Sequence, residues 1–167
     1  GINHHPSEEF ISSCEKETGI NMPRKRGYDV VEFIQAALEG RVRTFMALGG
    51  NLVSAMSDTE RVAKAISKID LTVQISTKLN RSHLITGREA LILPCLGRTE
   101  RDPAGFVTVE NSMGLVHSSN GSLEPASEIL LSEPEIISRL GSQLYPKGPL
   151  DWNAYSDHEH TRYLISR

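Results

Sequence analysis

Arg43-Thr44-Phe45-Met46-Ala47-Leu48-Gly49-Gly50-Asn51 opens the stretch, running to Asp102, whose reading decides the fold. Its apolar run Phe45 to Leu48 breaks at a glycine turn. A second run, Leu71-Thr72-Val73-Gln74-Ile75, ends at the polar loop Ser76 to Gly87. A third, Ala90-Leu91-Ile92-Leu93, ends at Pro94 and leads into Gly97-Arg98-Thr99-Glu100-Arg101-Asp102. The near-continuous apolar character of the second run suits a parallel strand covered on both faces. Strand-like runs that discharge into polar or glycine-containing loops imply an open parallel sheet, and such sheets bind ligands beyond the carboxyl ends of their strands. The fold class expected is therefore α/β, with a mainly parallel sheet flanked by helices.

Helical patterns surround this stretch. Ser7 to Thr18 reads as a helix capped by Ser7, favoured by Glu8 and Glu9 at its positive end and stopped by Gly19. The basic linker Met22-Pro23-Arg24-Lys25-Arg26-Gly27 is expected to be a solvated turn. Tyr28 to Glu39 is a second helix with Asp29 as N-cap, because Val30, Val31, Phe33, Ile34, Ala37 and Leu38 recur at helical spacing. Arg41 to Leu48 follows as the first strand. Asp58 to Lys68 is a helix capped by Ser57 or Asp58, with Val62, Ala65, Ile66 and the adjoining Ile69 on its apolar side. Asp70 to Ile75 and Arg88 to Leu93 are strands, and the strand–helix–strand unit over 43–75 should be right-handed.

Beyond Asp102 the rhythm changes. Gly105 to Glu110 alternates as a strand, and Asn111 to Ser122 reads as loop with a short strand at Leu115 to His117. Ser132 caps a last clear helix reaching about Leu144, with Pro134 in its first turn, where a missing N–H costs nothing. The tail, with Trp152, Tyr155 and Asp157-His158-Glu159-His160, is expected to be helix or coil leading toward further sequence. The organisation expected is a helical segment over 1–40, a parallel-sheet core over 41–104, and a strand, loop and helix region over 105–167.

Composition limits the function classes. With 167 residues, 38% hydrophobic and 23% charged, the chain suits one soluble globular domain rather than a disordered one. A net charge of -3 offers no basic field for nucleic acid. No apolar run reaches the roughly 20 residues of a membrane span. The start, Gly1-Ile2-Asn3-His4-His5-Pro6, has neither initiator Met nor signal-peptide pattern and looks like a cut inside a longer protein. Cys14 and Cys95 are too few and too far apart for a disulfide scaffold or an iron–sulfur site, which favours free thiols and a cytoplasmic location.

Three loops carry the candidate chemistry. Gly49, Gly50 and Asn51 lie between strand and helix, where glycine admits an anionic group to the backbone and a helix N-terminus supplies N–H donors. Their spacing is neither GxGxxG nor a GKS/GKT phosphate loop. After the second strand, Lys78, Asn80, Arg81, Ser82 and His83 crowd together. Lys and Arg suit phosphate, while Asn and Ser suit a sugar or base edge. After the third strand, Arg98, Thr99, Glu100, Arg101 and Asp102 set carboxylates beside guanidinium groups, an arrangement that mutual ion pairs would also explain. His4, His5 and the Asp157-to-His160 cluster are metal ligands by type, but near chain ends and without zinc-like spacing they read as solvated. A Ser82–His83–Asp102 triad lacks the GxSxG elbow and is set aside. No metal ligand or catalytic residue is assigned.

Four segments together carry a more specific resemblance: Ala47 to Asn51, Leu71 to His83, Leu91 to Glu100, and Val107 to Met113 with Val116-His117. They resemble the formate-dehydrogenase-like branch of the molybdopterin oxidoreductases, within the dimethyl sulfoxide reductase superfamily, over about Gly1 to Leu144. The resemblance implies a Rossmann-like three-layer domain inside a larger catalytic subunit. It further implies molybdenum held by two molybdopterin guanine dinucleotides, one of which this chain helps to grip. Matched by motif, Gly49, Gly50 and Asn51 face phosphates and nucleoside. Ser76, Thr77 and Lys78, with Asn80 and Arg81 beyond them, close the second strand. Pro94, Arg98, Thr99, Glu100 and Asp102 match the third loop. The molybdenum ligand and any 4Fe-4S cysteine motif would lie upstream, matched by neither Cys14 nor Cys95, so the chain alone is expected to be inactive. Asn111 stands where an acidic residue is commoner. The implied partners are the remaining domains of the same subunit, the cofactor and a small substrate such as formate. The alternative is a non-catalytic nucleotide-binding or protein-interaction α/β module.

Overall fold

A computed structural model describes residues 6–166; the His4-His5 pair lies outside the described residues. The chain divides into two compact units, Gly1–Gln74 with Leu79–Ile92, and Ile75–Lys78 with Leu93–Arg167.

The first unit begins with helix α1 (Glu8–Thr18), where Ser7 accepts the Phe10 N–H and Gly19 closes the other end at φ 68°. The basic linker after it is pinned, contrary to expectation. Arg24 bonds Glu15 at 2.6 and 2.9 Å and Glu8 at 3.1 Å, and Arg26 bonds Glu32 at 2.7 Å and Asp29 at 3.3 Å. Two arginines thus tie the linker to the helices on either side of it. Helix α2 (Val30–Leu38) starts from a capping box in which Asp29 and Glu32 satisfy each other's backbone N–H groups.

Strand β1 (Thr44–Leu48) ends at Gly49 and Gly50, with φ of 67° and 76°. The helix expected from Asp58 is present, and an additional turn precedes it. A single turn, α3 (Leu52–Ala55), comes first, and α4 (Thr59–Ile66) starts separately with Asp58 capping the Arg61 N–H. Strand β2 (Leu71–Ser76) is buried over its four central residues, and β3 (Glu89–Pro94) is the exposed outer strand of the parallel order β1-β2-β3. Ile34 and Ala37 from α2 meet Val53 of α3, Val62, Ala65 and Ile66 of α4, and Ile69 to form the core. Phe33 and Phe45 extend it, their ring centroids 5.1 Å apart. The α/β class with helices flanking a parallel sheet is as the hydrophobic pattern implied.

In the second unit, β4 (Val107–Glu110) pairs antiparallel with β5 (Val116–Ser119), from Val107 opposite Ser119 to Glu110 opposite Val116. Asn111 closes the connection. Its side-chain oxygen accepts the Met113 and Leu115 N–H groups, and Gly114 takes φ 75°. Helix α5 (Glu133–Leu144) is capped by Ser132 as expected. The tail forms a 3-10 turn over Trp152–Ser156 and then helix α6 (His158–Ile165), capped by Asp157. Trp152 lies directly against Gly141 of α5, and the Ser138 hydroxyl donates to the Trp152 carbonyl at 2.5 Å.

Candidate functional site

The first two loops are bonded to each other within the first unit. Asn80 Nδ2 donates to the Gly50 carbonyl at 3.0 Å, and the Ser82 hydroxyl donates to Asn51 Oδ1 at 2.7 Å while accepting the Val53 N–H at 3.2 Å. Gln74 Nε2 then holds the Ser82 carbonyl at 2.9 Å. These contacts arise because a short 3-10 turn, Arg81–Leu84, replaces the extended polar loop expected there. Asn80 caps that turn through the Ser82 N–H, and His83 Nδ1 accepts the Asn80 N–H in return. His83 is buried, and its Nε2 has no hydrogen-bond partner among the described residues.

Asn80 and Ser82 therefore shape the loop rather than project from it. Arg81 remains exposed, and no ion pair or hydrogen bond engages its side chain among the described residues. The glycine turn it adjoins has open backbone, since a Cβ at Gly50 would meet nothing within 4 Å. The helix that follows the turn is one turn long, so few peptide dipoles align behind it and the dipole argument for an anion weakens there.

The second unit holds Ser76, Thr77, Lys78 and the third loop. Cys95 N–H bonds the Ser76 carbonyl at 3.2 Å, fixing the end of β2 against the residue after Pro94. Lys78 and Arg98 are exposed, without an ion pair among the described residues. The mutual ion pairs that would also have explained residues 98–102 are replaced by backbone contacts and by a pair to Glu124. Glu100 accepts the Gly97 N–H at 2.6 Å and the Ala126 N–H at 2.7 Å, and these bonds hold its carboxyl below the usual range. Thr99 uses its carbonyl to hold the Ser122 and Leu123 N–H groups. Arg101 pairs with Glu124 at 2.8 Å, and Asp102 holds the Ala104 N–H at 2.9 Å. Burial pushes the Cys95 thiol upward, away from nucleophilic character.

Among the described residues, then, the first unit presents an open turn at Gly50 and the unpaired cation Arg81, and the second presents the unpaired cations Lys78 and Arg98. The chain is similar to bacterial proteins named as oxidoreductases. It is 46% identical over 162 residues to an uncharacterized oxidoreductase of Mycobacterium tuberculosis (strain H37Rv), covering 94% of this chain and 21% of the relative. The same figures describe its likeness to an uncharacterized oxidoreductase of Mycobacterium bovis. It is also 38% identical over 156 residues to protein YdeP of Escherichia coli K12, covering 91% of this chain and 21% of that protein. The chain spans about a fifth of the length of the curated relatives it matches. No protein-family model matches it.

Among the described residues no helix is long and apolar enough to cross a membrane, and no three His, Cys, Asp or Glu side chains are grouped to hold a metal ion. The Asp157-to-His160 cluster is a helix start: Asp157 accepts the Glu159 and His160 N–H groups at 2.8 and 3.0 Å, which lowers its carboxyl pKa. Reading that whole cluster as solvated fails at one residue, because His158 is 6% exposed. Nothing in its sequence context distinguishes it. As the first residue after a cap, it turns inward with the helix.

Proposed function

We propose that this chain is the part of a larger molybdenum-dependent, formate-dehydrogenase-like oxidoreductase that binds one molybdopterin guanine dinucleotide, and that it is inactive alone. The observation that carries the reading is the state of the loop cations. Among the described residues, Lys78, Arg81 and Arg98 stand after strand ends without anionic partners, while most of the other arginines are committed to ion pairs. A dinucleotide brings phosphates that such cations bind. The open turn at Gly50 suits close approach of an anionic group to backbone. The similarity to larger proteins named as oxidoreductases supports the redox half of the reading.

In the first unit, Gly49, Gly50, Asn51 and Arg81 would contact the cofactor, with Asn80 holding the Gly50 carbonyl in place. In the second, Ser76, Thr77, Lys78, Pro94, Arg98, Thr99 and Asp102 would do so, with Glu100 fixing its loop through two backbone N–H groups. When bound, the molybdenum cofactor supplies a two-electron redox centre. Gripping the nucleotide end, excluding water from its phosphates and neutralising their charge are what this chain's residues contribute.

The test is made on the full-length protein. It should purify with molybdenum and release guanine nucleotide on denaturation, and Arg98→Ala should lower both without lowering the melting temperature. A folded full-length protein free of molybdenum and guanine would overturn the reading. Normal retention in Arg98→Ala would remove Arg98 from it. The 167-residue chain alone should bind guanosine nucleotides no tighter than roughly 0.1 mM, because association costs several kcal/mol before contacts offset it.

A further inference from the structure

The amino edge of the parallel sheet carries a charged hollow of about 270 Å³, lined by Arg43, Lys68, Asp70 and Arg88 with Gly40 and Val42. Arg43, Asp70 and Arg88 come immediately before the first residues of β1, β2 and β3, so the strand order sets them side by side. Backbone bonds fix that register. The Leu71 N–H donates to the Arg43 carbonyl at 3.1 Å, and the Glu89 N–H to the Asp70 carbonyl at 2.9 Å. Asp70 is half-buried and divided between two guanidinium groups, with Arg43 Nε on one oxygen and Arg88 Nη2 3.2 Å from the other. Lys68 Nζ donates to the Leu38 carbonyl at 2.6 Å and has no carboxylate partner among the described residues. Three cations thus face one carboxylate.

What the hollow lacks is negative charge. Both Asp70 oxygens are engaged, while each guanidinium and the ammonium keep N–H donors that no acceptor takes among the described residues. A carboxylate ligand would balance only one of the two uncompensated charges. A phosphate group carries about −1.5 to −2 at neutral pH and offers three strong acceptor oxygens. Guanidinium forks and an ammonium point charge both bind it. Val42 is the one apolar side chain among these lining residues, so an apolar ligand gains little by entering. A long polyanion is disfavoured by the net charge of -3. The rim is open at Gly40, where a Cβ would meet nothing within 4 Å, which leaves room for whatever carries the phosphate. Arg43 and Arg88 are 80% and 75% exposed, so water and salt screen the attraction and keep the affinity modest.

We propose that this hollow binds a single terminal phosphate group, held by Arg43, Arg88 and Lys68. The inference does not rest on the cofactor reading, whose loops follow the opposite, carboxyl ends of the same strands. The test titrates the isotopically labelled 167-residue chain with inorganic phosphate, glycerol 3-phosphate and acetate in about 0.1 M sodium chloride. NMR follows the side-chain signals of Arg43, Lys68 and Arg88. Phosphate should give saturable shifts with a midpoint of about 1–10 mM, and acetate should bind at least about fivefold more weakly. Arg88→Gln should weaken phosphate about fivefold, and Asp70→Asn, which removes the competing carboxylate, should tighten it by about the same factor. A purely structural role for the Arg43–Asp70–Arg88 cluster predicts no such tightening. Glycerol 3-phosphate binding more tightly than inorganic phosphate would make the source a phosphate ester. Co-sedimentation with phosphatidylcholine vesicles only when they contain phosphatidic acid would make it a lipid headgroup. No saturable shift at about 50 mM phosphate would overturn the proposal, as would an equal response to acetate. Shifts confined to Lys78, Arg81 and Arg98 would also overturn it, by placing the phosphate on the cofactor loops. If Arg88→Gln does not fold, Asp70→Asn decides, and unchanged affinity there sinks the assignment.

Discussion

Replacing Gly141 with alanine should destabilise the second unit, although alanine is the better helix former. Gly141 is buried in α5, and a Cβ there would lie 2.2 Å from Trp152 Cε3 and 2.3 Å from Cδ2. Ordinary contact begins near 3.4 Å, so the indole must retreat by about 1.2 Å. Its neighbours resist. Tyr145 stacks on one side with centroids 6.2 Å apart, Tyr155 stands at 5.9 Å, and Ser138 holds the Trp152 carbonyl. Forcing an extra methyl into such packing costs about 1–3 kcal/mol. The same change at an open helical position would stabilise by about 1 kcal/mol. With the ring braced on both sides the cost falls in the upper part of that range, about 2–3 kcal/mol, so the net expectation is a loss of about 1–2 kcal/mol, or roughly 5–10 °C in melting temperature for a unit of this size. Trp152 is the only tryptophan in the sequence, so its fluorescence reports this contact directly during urea unfolding. The emission of the folded variant should also change, because the ring itself moves. A midpoint equal to or above that of the unsubstituted chain would refute the packing of Trp152 on Gly141.

Three further outcomes follow from other parts of the chain. Ser82→Ala strands the Val53 N–H and Asn51 Oδ1, so it should cost about 1–2 kcal/mol and speed amide exchange at Val53, while amides in α1 keep their rates. The Arg24 guanidinium, followed by the Met22 N–H, lowers the Glu15 carboxyl from its ordinary 4.5 to about 2. The folded chain therefore holds that proton less tightly than the unfolded one; the contribution is complete above pH 4.5 and is lost as pH falls toward 2. Glu15→Gln should flatten that part of an acid-unfolding curve, and an unchanged acid slope would show that the Arg24 bridge adds nothing to stability. Asn80→Ala should release the Gly50 carbonyl and broaden the backbone signals of Gly49 to Asn51, which relaxation measurements would detect.

The parts of the fold legible in the sequence were those fixed by local chemistry. Ser7, Asp29, Asp58 and Ser132 cap the helices they were expected to cap, because a short side-chain acceptor three residues before a free N–H needs no tertiary help. Strand β2 was legible because burial on both faces leaves a continuous apolar run. The single turn α3 was not: Asn51 makes no side-chain cap bond to it, whereas Asp58, which accepts the Arg61 N–H, announced α4. The linker at Arg24 and Arg26 read as solvated because its carboxylate partners lie as many as 16 residues away. His158 gave no signal at all, since its burial depends on which side of α6 faces its unit.

Loop chemistry divides by side-chain length. In the second and third loops the short polar groups are consumed locally: Asn80 by Gly50, Ser82 by Asn51 and Val53, Asp102 by Ala104. A short side chain reaches only the groups packed directly against it, in its own loop for Asp102 and in the adjoining loop for Asn80 and Ser82, and there it satisfies turns before any ligand arrives. The long cations Lys78, Arg81 and Arg98 extend past that neighbourhood and remain exposed. A list of polar residue types at a strand end therefore overstates the binding surface, and subtracting those that close the turn leaves the groups able to meet an anion. Glu100 shows the limit of the rule. Its longer side chain is nonetheless spent on the Gly97 and Ala126 N–H groups, because the crossing at Gly121 brings a second backbone segment within its reach. Loop length and crossing segments, more than residue type, decide which charges stay free.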